Sequence, residues 1–151
     1  MIDLNETVAA DSLLAEILLK DDNVAFEGIS KTNTNTPLKF DYIPPVGRGD
    51  GFRGLELLVL TMGGCFSTAV VYNLRKMGRS INSFHVRLKG VKNESVLSLK
   101  RVDAEIEIIS DDISQEELSK SIRHAMEMSP VLLSVKGNVE FVVSGNIQRS
   151  R

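Results

Sequence analysis

Cys65 is the only thiol in the 151 residues, within Thr61-Met62-Gly63-Gly64-Cys65-Phe66-Ser67. A lone cysteine in an apolar stretch has two readings. It can be a small core hydrophobe, or a nucleophile, which requires the thiolate and a cation close by to favour it. A helix dipole does not supply that charge, because Cys65 falls about ten residues into its helix and the field fades within the first turn. Arg48 and Arg53, in the loop before the helix, are the candidate cations within the chain. An arginine donated by a partner chain is the other source. Glu56 stands at the helix start, where an acid suits the dipole; its functional reading is to orient an arginine toward the thiol. Nine helical residues span about 13.5 Å and half a turn of phase. Glu56 and Cys65 of one chain therefore point to opposite faces, and serve one site only through a long arginine or from different subunits.

The remaining chemistry-bearing residues are sparse. Gly47-Arg48-Gly49-Asp50-Gly51 precedes a helix and suggests a phosphate cradle. It has neither the Lys-Ser/Thr of a P-loop nor dinucleotide-binding spacing, so nucleotide binding is not expected. His85 and His124 have no companion at ligand spacing, and two isolated histidines with one cysteine make no metal site. No nucleophile elbow surrounds any serine. No cofactor is expected.

These residues must be positioned by a fold of ordinary size. The chain is 42% apolar and 25% charged, a globular composition with enough apolar surface for a core. With 18 basic and 20 acidic residues, and aromatics at 5% without Trp, it has neither the basic face nor the stacking platform of a nucleic-acid binder. A single cysteine forms no intrachain disulfide, and a cytoplasmic setting is the default expectation. The first residues, Met1 to Glu6, carry no basic leader. Leu57 to Leu74 is free of charge and reaches the lower edge for a membrane span, about 18 residues. Its spread of Thr61, Ser67, Thr68, Tyr72 and Asn73, and the Gly63-Gly64 pair, favour a buried core helix, so no membrane is expected.

One domain over 1–151 is predicted, with a loose arm over 1–12 and a polar tail over 148–151. Leu13–Leu19 and Val24–Ile29 flank the turn cluster Asp21-Asp22-Asn23 and predict a hairpin. Lys31–Thr36 reads as a polar loop. Leu38, Phe40 and Tyr42 alternate in a third strand, closed by Pro44-Pro45. A helix runs from about Leu55 to Met77, with Gly78 as C-cap. Phe84, Val86 and Leu88 alternate in a fourth strand; Val102, Ala104, Ile106 and Ile108 alternate in its antiparallel partner. Ser114 and Glu117 form a capping box for a surface helix that stops near Ser129, before Pro130. Val131–Val135 is ambiguous, and Asn138–Ile147 is a last strand. The class is α+β, with order βββ-α-ββ-α-β. A helix apolar on every side needs more cover than one small sheet supplies. Small residues at Gly63/Ser67 and Gly64/Thr68 allow close approach of another helix, so a homodimer is expected.

Three segments together resemble the OsmC/Ohr family of osmotically inducible and organic hydroperoxide resistance proteins. They are Gly-Leu-Glu-Leu-Leu-Val-Leu-Thr-Met-Gly-Gly-Cys (54–65), Leu74-Arg75-Lys76-Met77-Gly78 and Met128-Ser129-Pro130-Val131. The resemblance spans nearly the whole chain and is to the broad OsmC-like branch. It implies an intertwined homodimer, two central helices wrapped by antiparallel sheets, and two active sites at the subunit interface. It implies a cysteine thiolate that attacks an organic hydroperoxide, a second cysteine in a Cys-Pro-Val motif that resolves the sulfenic acid, and a dithiol reductant of the lipoyl type. An arginine and a glutamate polarise the thiolate. By this resemblance Cys65 is the peroxidatic residue and Glu56 the helix-start glutamate of the OsmC-like branch. Arg53 and Arg48 are candidates for the arginine. Gly54 stands where the family has a proline, and Ser129 stands in the resolving position. A serine forms no disulfide, so the implied activity is a one-cysteine hydroperoxide reductase that needs an external thiol. Two readings compete with it: a catalytically degenerate dimeric module for a small ligand, and a thiol redox sensor.

Overall fold

The computed structural model describes residues 13–150; the arm expected over 1–12 lies outside the described residues. Contacts divide the chain into two compact units that meet between Gly54 and Leu55.

The first unit is a three-stranded antiparallel sheet, β1 (Ala15–Leu19), β2 (Phe26–Ser30) and β3 (Asn33–Phe40), in the order β1-β2-β3. The register sets Ile17 opposite Gly28 and Gly28 opposite Leu38, with Leu19, Phe26 and Phe40 in the next row. Period-two alternation thus collects the apolar side chains on one face. The hairpin turn is held by Asp21, whose carboxylate accepts from the backbone N–H of Asn23 and Ala25, each at 3.0 Å. The polar loop expected over Lys31–Thr36 is shorter than the sequence suggests. The turn takes only Lys31 and Thr32, and Asn33–Thr36 is strand. These residues are exposed, so their polarity costs nothing while their backbone extends the ladder.

The second unit begins with α1 (Gly54–Lys76), followed by β4 (Ser83–Lys92), β5 (Leu99–Ile109), α2 (Gln115–Met128), α3 (Pro130–Val135) and β6 (Glu140–Gln148). Its sheet has the order β4-β5-β6. Strands β4 and β5 are antiparallel, with Phe84 opposite Ile108 and Val86 opposite Ile106. Strand β6 runs parallel to β5, with Val102 opposite Phe141, so the sheet is mixed where an antiparallel one was expected. The connection between them contains α2 and α3, and a helical crossover brings the chain back in its original direction. The ambiguous Val131–Val135 is part of that crossover, as α3.

The helices cover one face of this sheet. Met62, Phe66, Val70 and Leu74, four apart along α1, are buried with Val102, Ile106 and Ile108 of β5 and Leu118 and Ala125 of α2. Each such side chain contributes about 1.5–3 kcal/mol on leaving water. Phe66 meets Phe141 at 5.1 Å between ring centroids, tilted by 60°. At Gly63 a Cβ would fall on the Leu88 side chain, so glycine lets helix and sheet approach. The opposite sheet face carries polar pairs such as Arg87–Glu107. Gly78, with φ of 77°, ends α1 as expected. The capping box of α2 is present: the Glu117 N–H donates to Ser114 Oγ at 3.2 Å, and the Ser114 N–H to Glu117 Oε2 at 2.9 Å. The tail expected from residue 148 is held. Gln148 belongs to β6, Arg149 donates to the Ser110 carbonyl at 3.1 Å, and the Ser150 N–H donates to Asp111 at 2.9 Å.

Candidate active site

Helix α1 has two different sides. The stripe Met62–Phe66–Val70–Leu74 is buried, while Leu60, Gly64, Thr68 and Tyr72, also four apart, are exposed. Successive residues are about 100° apart around a helix. Cys65 lies between Gly64 of the open stripe and Phe66 of the buried one, and it is half-buried. Helix α1, uncharged from Leu57 to Leu74, is long and apolar enough to cross a membrane by length and composition, but its buried stripe belongs to a core shared with a sheet.

Ser129 reaches the sulfur. Its hydroxyl donates to Cys65 Sγ at 3.1 Å, across 64 positions of sequence, and the residue is 0% exposed. Ser129 is fixed at the joint of two helices. Its N–H donates to the Ala125 carbonyl at 2.9 Å, closing α2, and its own carbonyl accepts from the Leu133 N–H at 3.0 Å, opening α3. Pro130 follows at the first position of α3, where a missing N–H costs no hydrogen bond.

The other sequence candidates occupy different ground. Glu56 lies in the first turn of α1. The helix runs unbroken to Lys76, so the separation of about 13.5 Å and half a turn from Cys65 holds, and one helix does not bring the two side chains together. Arg53 precedes α1 in the first unit. Arg48, the other candidate cation, pairs with Asp21 at 3.9 Å and Asp22 at 3.8 Å.

The glycine-rich loop holds an anion of its own. The Asp41 carboxylate, only 4% exposed, accepts from the N–H groups of Tyr42 at 2.7 Å, Arg48 at 3.1 Å and Asp50 at 3.0 Å. These bonds, the one from Asp50 foremost, hold its pKa below the ordinary 3.8. The carboxylate of a side chain thus takes up three backbone donors of this segment. His85 lies on the polar sheet face, 3.9 Å from Glu107.

A family model described as OsmC-like protein matches residues 47–144, a stretch that holds α1, Cys65 and Ser129. The chain belongs to the OsmC-like family. Solved structures agree with this OsmC-like fold. An OsmC-like protein from Mycoplasma pneumoniae superposes with a TM-score of 0.76 at 16% identity, over 92% of this chain and 99% of that one. An organic hydroperoxide resistance protein OsmC from Legionella pneumophila, described as a predicted redox protein, gives 0.67 at 14% identity, over 92% and 99%. The organic hydroperoxide resistance protein OhrB of Bacillus subtilis gives 0.61 at 15%, over 91% and 100%. No curated protein matches the OsmC-like chain in sequence.

Of the residues around the thiol, the sequence pointed to Ser129 only through the family resemblance. Phe66 and Phe141 carried no signal beyond apolar periodicity, because their contact joins α1 to a strand that starts after two further helices.

Proposed function

We propose that this OsmC-like chain is a thiol-dependent reductase of organic hydroperoxides, working with one cysteine and an external thiol in the response to oxidative stress. The observation that carries the reading is the half-buried Cys65 sulfur held by the hydroxyl of a fully buried Ser129. In the first step the Cys65 thiolate attacks the terminal peroxide oxygen. The S–O bond forms, the O–O bond breaks, and the alkoxide leaves as the alcohol after taking a proton. Cys65 is then a sulfenic acid. With serine in the resolving position, an external thiol condenses with it, releasing water and leaving a mixed disulfide. A second external thiol attacks that disulfide, restores Cys65 and departs as an oxidised pair. Arg53 is the arginine put forward to favour the thiolate, and Glu56 the residue that orients the cation, acting at the Cys65 of another chain. The same family resemblance supports a homodimer, and the single cysteine supports a cytoplasmic setting.

The surface of α1 supports a second copy as the partner. Leu60 is 50% exposed and Tyr72 is 62% exposed. The Thr61 and Thr68 hydroxyls donate to the carbonyls of Leu57, at 2.6 Å, and Gly64, at 3.0 Å, which turns these polar groups back onto their own helix. The stripe is thus apolar along its length, with Gly64 at its middle and a depression of about 470 Å³ bordered by Ser67, Thr68, Val71, Tyr72 and Arg75. A helix from a second copy seated there sets Cys65 on the seam between subunits.

The test is trapping with dimedone after one equivalent of cumene hydroperoxide, read by peptide mass spectrometry with Cys65→Ser as control. Near-stoichiometric labelling at Cys65 is expected, with turnover once thiol is added. Labelling without turnover under any thiol supports a redox sensor. Labelling only after unfolding makes Cys65 a structural residue and leaves the ligand-binding module as the better account.

A further inference from the structure

Two serines in this chain occupy the same structural position and spend their hydroxyls differently. Ser114 and Ser129 are both N-cap residues with extended backbone, φ/ψ of −89°/158° and −67°/116°. Ser114 does what an N-cap serine ordinarily does, accepting from the N–H three residues on. Ser129 makes no side-chain cap bond, and its hydroxyl is turned to Cys65 Sγ at 3.1 Å. Ser129 is 0% exposed, so no bulk water competes for that proton.

A neutral thiol is a weak acceptor. A buried hydroxyl whose oxygen accepts no cap N–H gains little by donating to such a sulfur. The same donor gains about twice as much from an ionised acceptor as from a neutral one. The sulfur is ionised when it is the thiolate. We propose that Ser129 is a positioning residue for Cys65: its hydroxyl holds the sulfur in one orientation and stabilises it as an anion before attack. The inference rests on the thiol chemistry proposed above, but it concerns a separate property, the nucleophilicity of the resting sulfur.

Its rigidity supports the role. Both backbone groups of Ser129 are committed to helix hydrogen bonds and Pro130 restricts the backbone of the residue before it, so the side chain has little besides its χ1 rotor to adjust. The donor therefore sits in place before the oxidant arrives, which is what a preorganised electrostatic contact requires.

The experiment uses the full chain and iodoacetamide, which needs the Cys65 thiolate and no peroxide. Ser129→Ala removes the donor. Ser129→Thr and Ser129→Val form an isosteric pair that differs only in the hydroxyl, so any packing disturbance is common to both. The alkylation rate at one fixed pH is expected to fall about tenfold in Ser129→Ala, the scale of a lost hydrogen bond to a charged group. Threonine is expected to exceed valine by a similar factor, while both unfold at similar temperatures. Equal rates in threonine and valine, or no loss in alanine, overturn the proposal and reduce Ser129 to a space-filling residue. If the wild type fails to react with cumene hydroperoxide, the reductase reading falls, yet the threonine-to-valine ratio still decides the role of Ser129.

Discussion

At the scale of single residues, the carboxylates of Asp41, Asp112 and Glu117 are held in their charged form chiefly by backbone donors. Asp41 accepts three N–H groups of its loop. Asp112 accepts from the Ser80 N–H at 3.1 Å, the main cause of its lowered pKa. Glu117 accepts from the Ser114 N–H first and from Arg79 next, and is lowered likewise. A group whose folded value lies below its unfolded one binds its proton more readily when unfolded. The stabilisation is complete above the ordinary values, 3.8 for aspartate and 4.5 for glutamate, and drains as pH falls below them. Denaturant unfolding is therefore expected to show a flat stability from pH 7 to about pH 5 and a loss below about pH 4. Asp41→Asn should flatten part of that loss at a cost in stability at neutral pH. A variant with the full acid dependence would place the effect elsewhere. Cys65 itself was plain as a candidate from its position in the sequence. Its partner Ser129 was legible only through the family resemblance, because the two stand 64 positions apart and no local pattern reports where a buried hydroxyl points.

At the scale of elements, alternation and capping residues were legible and strand direction was not. Val102, Ala104, Ile106 and Ile108 show period two, and all are buried; Ser114 and Glu117 mark the start of α2 and Pro130 its end. The parallel course of β6 depends on a crossover whose second helix, α3, is a six-residue apolar run rich in valine, composition that suits a strand equally well. Neighbouring glycines of α1 likewise look identical in sequence and differ in the fold. Gly63 is covered by Leu88, whereas a Cβ on Gly64 meets nothing within 4 Å. Gly63→Ala should lower stability by about 1–3 kcal/mol through overpacking. Within the single chain Gly64→Ala should raise it slightly, because alanine favours helix over glycine by about 1 kcal/mol, an effect to be read at a concentration that dissociates the proposed dimer. Urea unfolding of the two variants checks both signs.

At the scale of the whole molecule, the fold class was legible because hairpins, a long apolar helix and a capped surface helix follow one another in an order that suits few architectures. How much of α1 one chain covers was not, since hydropathy reports only that a residue prefers burial and not which molecule provides it. The proposed dimer makes a distinct prediction here. Gly64→Arg adds a long charged group where the chain has open space, so its circular dichroism should match the wild type. Its mass by light scattering should move toward 16.6 kDa, the single chain, while the wild type runs at twice that. Equal masses for both proteins would remove this stripe from the interface.

The hydroxyl beside Cys65 also bears on endurance. In the proposed cycle an oxidised Cys65 has no second thiol in its own chain to retire it, since the chain has one cysteine. Two species from outside compete for it. A thiol returns it to service, and another oxidant molecule takes it to the sulfinic acid, which is not ordinarily recovered. The number of cycles a molecule completes is then set by the ratio of thiol to oxidant in its surroundings. A population of such molecules persists where thiol is plentiful and is consumed in proportion to dose where it runs short, in the manner of a fuse.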